Sequence, residues 1–131
     1  MASRITAVAV NCADPAALAG WWAEALGYEV LDADDPDVVT IGPPGQETKG
    51  PQPVLDFVRV PDPTPGRRRL HLDLNATDRP QAEELDRLLA LGATPVDVGQ
   101  GPLSDQMTWH VLADPEGNEF CLLASTVDPL R

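Results

Sequence analysis

Short runs of alternating apolar and polar positions, each followed by a helical pattern and more short runs, predict a mixed α+β chain. Ile5 to Asn11 sets Thr6, Val8 and Val10 against Ile5, Ala7, Ala9 and Asn11, one bulky face and one mostly small, as in a strand that floors a cavity. Asp14 suits a helix N-cap and Pro15 the first helical position; Leu18, Trp22, Ala25 and Leu26 then recur at helical spacing until Gly27 stops the helix. Trp21 and Trp22 point about 100° apart on a helix, so one belongs in the core and the other at its margin. Tyr28 to Asp32 and Val38 to Ile41 read as strands joined by an acidic turn at Asp34 to Asp37, and Gly42 to Pro53 as a mobile loop. Val54 to Val60 is a fourth strand, with Asp56 and Val58 on one face and Leu55, Phe57 and Arg59 on the other.

A second series repeats the first. Leu70 to Asn75 alternates three leucines against His71 and Asp73, which separates a core side from a polar side. Asp78 is expected to cap a helix entered at Pro80, with Ala82, Leu85, Leu88 and Leu89 as its apolar stripe and Glu83, Glu84 and Arg87 in water, ending at Gly92. Pro95 to Val98 and Met107 to Ala113 read as strands around a polar loop at Gly99 to Asp105, and Glu119 to Ala124 as the last strand after the tight turn Asp114 to Asn118. The pattern predicts two tandem βαβββ units whose curved mixed sheet surrounds a cavity, all within a single domain over residues 1–131. The first unit is 1–60, a proline-stiffened linker 61–66, and the second unit 67–125.

Composition narrows the function classes. A formal charge of −12 excludes a nucleic-acid surface and an anionic membrane, which reward clustered Lys and Arg; Arg67, Arg68 and Arg69 form the only basic run and read as a solvated edge. No apolar run of spanning length and no leader pattern is visible, so a cytoplasmic protein is expected. Cys12 and Cys121 are too few to staple a fold.

Taken together, Asp14 through Trp21 and Trp22 to Leu26 and Gly27, the strand His71-Leu72-Asp73-Leu74, the second Leu-Gly at Leu91 and Gly92, and Asp114-Pro115-Glu116-Gly117-Asn118-Glu119-Phe120-Cys121 resemble the vicinal oxygen chelate superfamily. The nearest branch is the glyoxalase-like one, related to glyoxalase I, bleomycin-resistance proteins and extradiol dioxygenases. The resemblance implies a homodimer and a metal site at four positions. The first falls seven residues before Asp14, on Ala7; the second on Asp56 or its same-face neighbour Val58; the third on His71; the last, a Glu in the family, on Cys121.

Ala7 and Cys121 depart from that pattern, so no metal cofactor is expected; the alternative is a divalent zinc, nickel, iron or manganese ion held by Asp56, His71 and Cys121. His71 and Asp73 are the candidate acid or base groups, although as residues two apart on a strand they need not bond to each other. Cys121 has no adjacent base in sequence to activate it. The expected function is binding or sequestering of a small organic ligand by Ala7, Ala9, Asp56, Val58, His71, Asp73, Trp109 and Cys121, around a degenerate metal site. The alternative is a metal-dependent lyase, isomerase or dioxygenase that uses His71.

Overall fold

The computed structural model describes residues 2–64, 70–97 and 108–130. The chain divides into two compact units, Met1–Pro63 and Thr64–Arg131. In the first, β1 (Ala7–Cys12), α1 (Pro15–Leu26), β2 (Glu29–Asp35), β3 (Val38–Gly42) and β4 (Val54–Arg59) make a mixed sheet of order β1-β4-β3-β2. In the second, β5 (Leu72–Leu74), α2 (Gln81–Leu91), β6 (Thr94–Pro95), β7 (His110–Ala113) and β8 (Glu119–Leu122) give β5-β8-β7-β6. The orders are the same. The first strand of each unit lies parallel to its last, β1 on β4 and β5 on β8, and the remaining neighbours are antiparallel. The repeated sequence pattern is thus a repeated α+β topology.

Helix α1 forms as its caps predict. The Asp14 carboxylate accepts from the Ala17 amide at 3.2 Å, Pro15 occupies the first turn, and Gly27 closes the helix at φ 69°, a left-handed conformation that favours glycine. Leu18, Ala19, Trp22 and Ala25 are buried, and the helix packs on β3 and β4. Trp22 is 2% exposed while Trp21 sits at the margin, their rings meeting edge to face with centroids 5.1 Å apart. Val39, Ile41, Leu55 and Phe57 form the buried face of the sheet. Ala7 pairs with Val54, Ala9 with Asp56 and Asn11 with Val58, so these residues share the opposite face, where the three β1 residues are exposed.

Other local expectations change. Strand β2 continues to Asp35, because Asp32 and Asp35 accept from the amides of Asp34 and Asp37 and so absorb the bulged register with β3. The loop expected to move is tied down: Arg4 donates to the carbonyls of Lys49 and Gly50 at 2.7 Å, and the Gln46 amide to that of Gln52 at 2.7 Å.

In the second unit Leu70 is 84% exposed and precedes β5, so the predicted three-leucine face reduces to Leu72 and Leu74. Asp78 does not cap α2. It binds its neighbour Arg79, whose guanidinium holds the Asp78 carboxyl below its usual range, and Pro80 takes the cap position with no side-chain bond. Ala82 is exposed and Leu88 is the one described helix residue fully buried, while Glu84, expected in water, is half-buried against Arg87 at 2.6 Å. Strand β6 is only Thr94–Pro95 and β7 begins at His110. The loop predicted at Gly99 to Asp105, the basic run at Arg67 to Arg69, Val98 and Met107 lie outside the described residues.

The turn before β8 is built on Asp114. Its buried carboxylate accepts from the amides of Glu116 and Asn118, both at 2.9 Å, and from the Asn118 side chain.

Candidate functional site

Strand alternation sorts each sheet into an apolar face and a more polar one. On the first, the register sets Asp56 between Ala9 of β1 and Thr40 of β3. The Thr40 hydroxyl, 8% exposed, donates to Asp56 Oδ1 at 2.6 Å and fixes that carboxylate on the sheet. Ala7 and Ala9 are exposed, Val58 is half-buried beside Asn11, and Phe57 points to the opposite, core side.

On the second sheet, β5 and β8 align Asp73 with Cys121, and β7 sets Val111 on the other side of Cys121. His71 precedes β5 by one residue, on the Asp73 side of the alternation. His71 Nε2 and Asp73 Oδ1 stand 3.2 Å apart, with side chains 33% and 51% exposed. Residues two apart on a strand need not bond, but these two do meet, since backbone spacing along a strand does not limit the tips of two side chains leaning toward each other. Cys121 is 5% exposed and completes the group; one donor atom each from His71, Asp73 and Cys121 lie within 4.8 Å of one another. Both cysteines are buried thiols.

Among the described residues, the third member of this group is therefore Asp73. Asp56 and Val58, the two alternatives for the second position of the resemblance, both lie on β4 of the first unit, where Thr40 donates to Asp56. Ala7 has no donor atom. Nitrogen, carboxylate and thiolate are all zinc ligands, and three of them leave one position of a tetrahedral site open.

His110 is on the other side of the second sheet. Opposite Leu122 and 5% exposed, it shares the face of Leu72, Leu112 and Phe120. Its Nδ1 has no hydrogen-bond partner, and burial pushes its pKa down. Gln81, at the start of α2, donates to the carbonyls of Thr108 and Leu122 nearby. Trp109 immediately precedes β7 and is 46% exposed.

One contact was beyond sequence reasoning and another was only hinted at. Thr40 became a partner for Asp56 only through the β3–β4 register, which an eleven-residue connection (43–53) does not set. The His71–Asp73 contact had a signal in the His-x-Asp spacing on one strand face.

Two βαβββ units, each with polar residues on one face of its sheet, define an α+β fold class of tandem repeats. The chain belongs to the glyoxalase-like domain family, whose model matches residues 7–123. Its fold is that of the vicinal oxygen chelate superfamily. Among solved structures it is similar to the fosfomycin resistance protein FosX of Listeria monocytogenes, with 15% identity, coverage of 97% of this chain and 94% of that one, and a TM-score of 0.69. A point mutant of FosX, matched with the same values, was solved with Mn(II) and 1S,2S-dihydroxypropylphosphonic acid. A glyoxalase/bleomycin resistance protein/dioxygenase family enzyme from Burkholderia phytofirmans PsJN matches at 17% identity over 92% of this chain and 97% of that one, with a TM-score of 0.63. At such identities the likeness is one of fold. The search of curated proteins finds no match.

Proposed function

We propose that this protein binds a small organic ligand, anchored on the polar sheet face that carries His71, Asp73 and Cys121. The observation that carries the reading is the His71–Asp73 pair at 3.2 Å: two side chains able to exchange hydrogen bonds with a ligand, partly exposed, beside the apolar Val111 and the buried Cys121. Small-molecule sites are mainly apolar with a few placed polar groups, and this face has that character. Ala7, Ala9, Asp56 and Val58 supply a second set of candidate contacts on the first sheet, and Trp109 an aromatic one.

Planar, partly apolar compounds, quinones among them, should quench tryptophan emission saturably. His71→Ala should weaken that binding by roughly five- to a hundredfold, the cost of leaving a buried ligand group without its hydrogen bond. A broad panel that gives neither saturable quenching nor a thermal shift would refute the reading. The protein is also expected to pair as a homodimer, which light scattering at physiological salt would show as twice the chain mass.

A second reading, a metal-dependent lyase, isomerase or dioxygenase, is favoured by the convergence of three donor types at one place. His71, Asp73 and Cys121 would hold the ion there. A metal so held supplies Lewis-acid polarisation of a bound oxygen. The chain's own contribution is to fix the donors: Cys121 is locked in the sheet between Asp73 and Val111, while the more exposed His71 and Asp73 keep room to turn.

A further inference from the structure

We infer that Trp109 is the aromatic wall of the ligand face on the second sheet, that Gln81 holds it there, and that the ligand is an aromatic compound of two or more rings with a hydrogen-bonding group at its far end. This rests on the ligand-binding reading and narrows it to a class of ligand.

The strand register places the residues. Asp73 of β5, Cys121 of β8 and Val111 of β7 stand side by side across the sheet. Trp109 comes two residues before Val111 and falls on their side by alternation, while His110 between them faces the apolar layer. Strand β7 runs antiparallel to β8 and β5 parallel to it, so the step back from Val111 to Trp109 leads away from His71, which lies beyond Asp73 at the other end. The face is therefore two-ended. A hydrogen-bonding pair stands at one end and an indole, 46% exposed, at the other, with Val111 and the buried Cys121 between them. Two strand spacings of about 4.8 Å and one two-residue step of about 6.8 Å put the backbone of Trp109 about 12 Å from that of Asp73. A single ring stacked on the indole falls short of Asp73; two or three fused or linked rings cover the distance.

A lone exposed apolar side chain needs no explanation, but Trp109 is held in place. The side-chain amide of Gln81, at the start of α2, donates to the carbonyl of Thr108 at 3.4 Å and to that of Leu122 at 3.2 Å. Leu122 is the register partner of His110, so one amide group ties the residue before Trp109 to the strand that pairs with the residue after it. That bridge fixes the backbone from which the indole projects. Its ordering cost is met in folding and not again at each binding event, which leaves more of the stacking energy for the ligand. Gln81 is thus a positioning residue, and Trp109 the one that selects for ring number.

The test uses the full chain labelled uniformly with fluorotryptophan. Its three tryptophans give three fluorine resonances, and Trp109→Phe identifies the one from Trp109. The probes are a monohydroxyanthraquinone with its hydroxyl on a terminal ring, a monohydroxynaphthoquinone, and phenol. The anthraquinone should bind roughly tenfold more tightly than phenol and shift the Trp109 resonance more than those of Trp21 and Trp22. Trp109→Ala should remove most of that selectivity and leave phenol affinity unchanged, and Trp109→Phe should keep part of it. Gln81→Ala should move or broaden the Trp109 resonance of the free protein and lower anthraquinone affinity severalfold; Gln81→Glu, which keeps the shape and loses the donor, should do the same. Selectivity unchanged in Trp109→Ala, or a ligand shift carried by Trp21 and Trp22 instead, would overturn the role of Trp109. A Trp109 resonance unmoved in both Gln81 variants would overturn that of Gln81. If phenol binds as tightly as the anthraquinone and His71→Ala weakens both, the ligand-binding reading stands and this inference falls; if none of the three binds, both fall.

Discussion

His110 should make the second unit lose stability in mild acid. Its imidazole is 5% exposed, lies on the apolar face with Leu72, Phe120 and Leu122, and has no partner at Nδ1. Burial lowers its pKa from the ordinary 6.5 because the charged form cannot be solvated there. Well above pH 6.5 the imidazole is neutral in both folded and unfolded chains, and it adds nothing to the pH dependence. As pH falls below 6.5 the unfolded chain takes up the proton first, so the folded state loses ground until pH reaches the lowered folded value, below which the penalty is constant. One proton sets a limiting slope of about 1.4 kcal/mol per pH unit.

His110→Leu is the control. It removes the titration and the orphan nitrogen, and by the usual cost of a buried unsatisfied group it should be neutral or stabilising by up to about 2 kcal/mol near pH 7.5. The carboxylates responsible for the charge of −12 titrate alike in both proteins and cancel in the difference. Amide exchange of Val111, Phe120 and Leu122, compared between the two proteins from pH 7.5 to about pH 5, reads the opening of this sheet directly. The gap in protection should widen as pH falls. Parallel curves, or an imidazole that titrates by NMR at or above 6.5, would refute the account of His110 as a neutral buried group.

Three further outcomes test the fold. Trp22→Ala should destabilise by about 3–5 kcal/mol, and Trp21→Ala by much less, since the first is 2% exposed and the second lies at the margin of the core; urea denaturation separates them. Asp114→Ala should cost roughly 2–4 kcal/mol, because the amides of Glu116 and Asn118 both lose their acceptor at a buried turn, and thermal unfolding reads the loss. Arg87→Ala should cost on the order of 1 kcal/mol, only partly reduced by salt, since it removes a bidentate bond at 2.6 and 2.9 Å from the half-buried Glu84; urea denaturation at two salt concentrations reads it.

The fold was legible wherever local chemistry acts alone. Asp14, Pro15 and Gly27 bracket α1 with groups that satisfy helix ends, and the structure uses all three. The same reasoning failed at Asp78, where a neighbouring arginine offered the carboxylate a closer partner than the helix amides. At Leu70 alternation alone could not say where pairing stops: β5 runs beside β8 for three residues, and Leu70 lies beyond them. Periodicity assigns a face, but burial on that face depends on a neighbour that one strand's sequence does not name.

The candidate site shows the same limit at finer scale. Nothing adjacent to Cys121 in the chain says which side chains will face its sulfur. The imidazole and the carboxylate beside it come from β5 and the residue before it, about fifty positions earlier, delivered by the parallel β5–β8 register that pairs Asp73 with Cys121. A shift of one residue in that register would turn Leu72 or Leu74 toward the sulfur and disperse the three donors. The β5–β8 register thus decides whether the second sheet presents a polar site, and what positions the site chemistry is the packing of Leu72, Leu74, Phe120 and Leu122 on the face behind it.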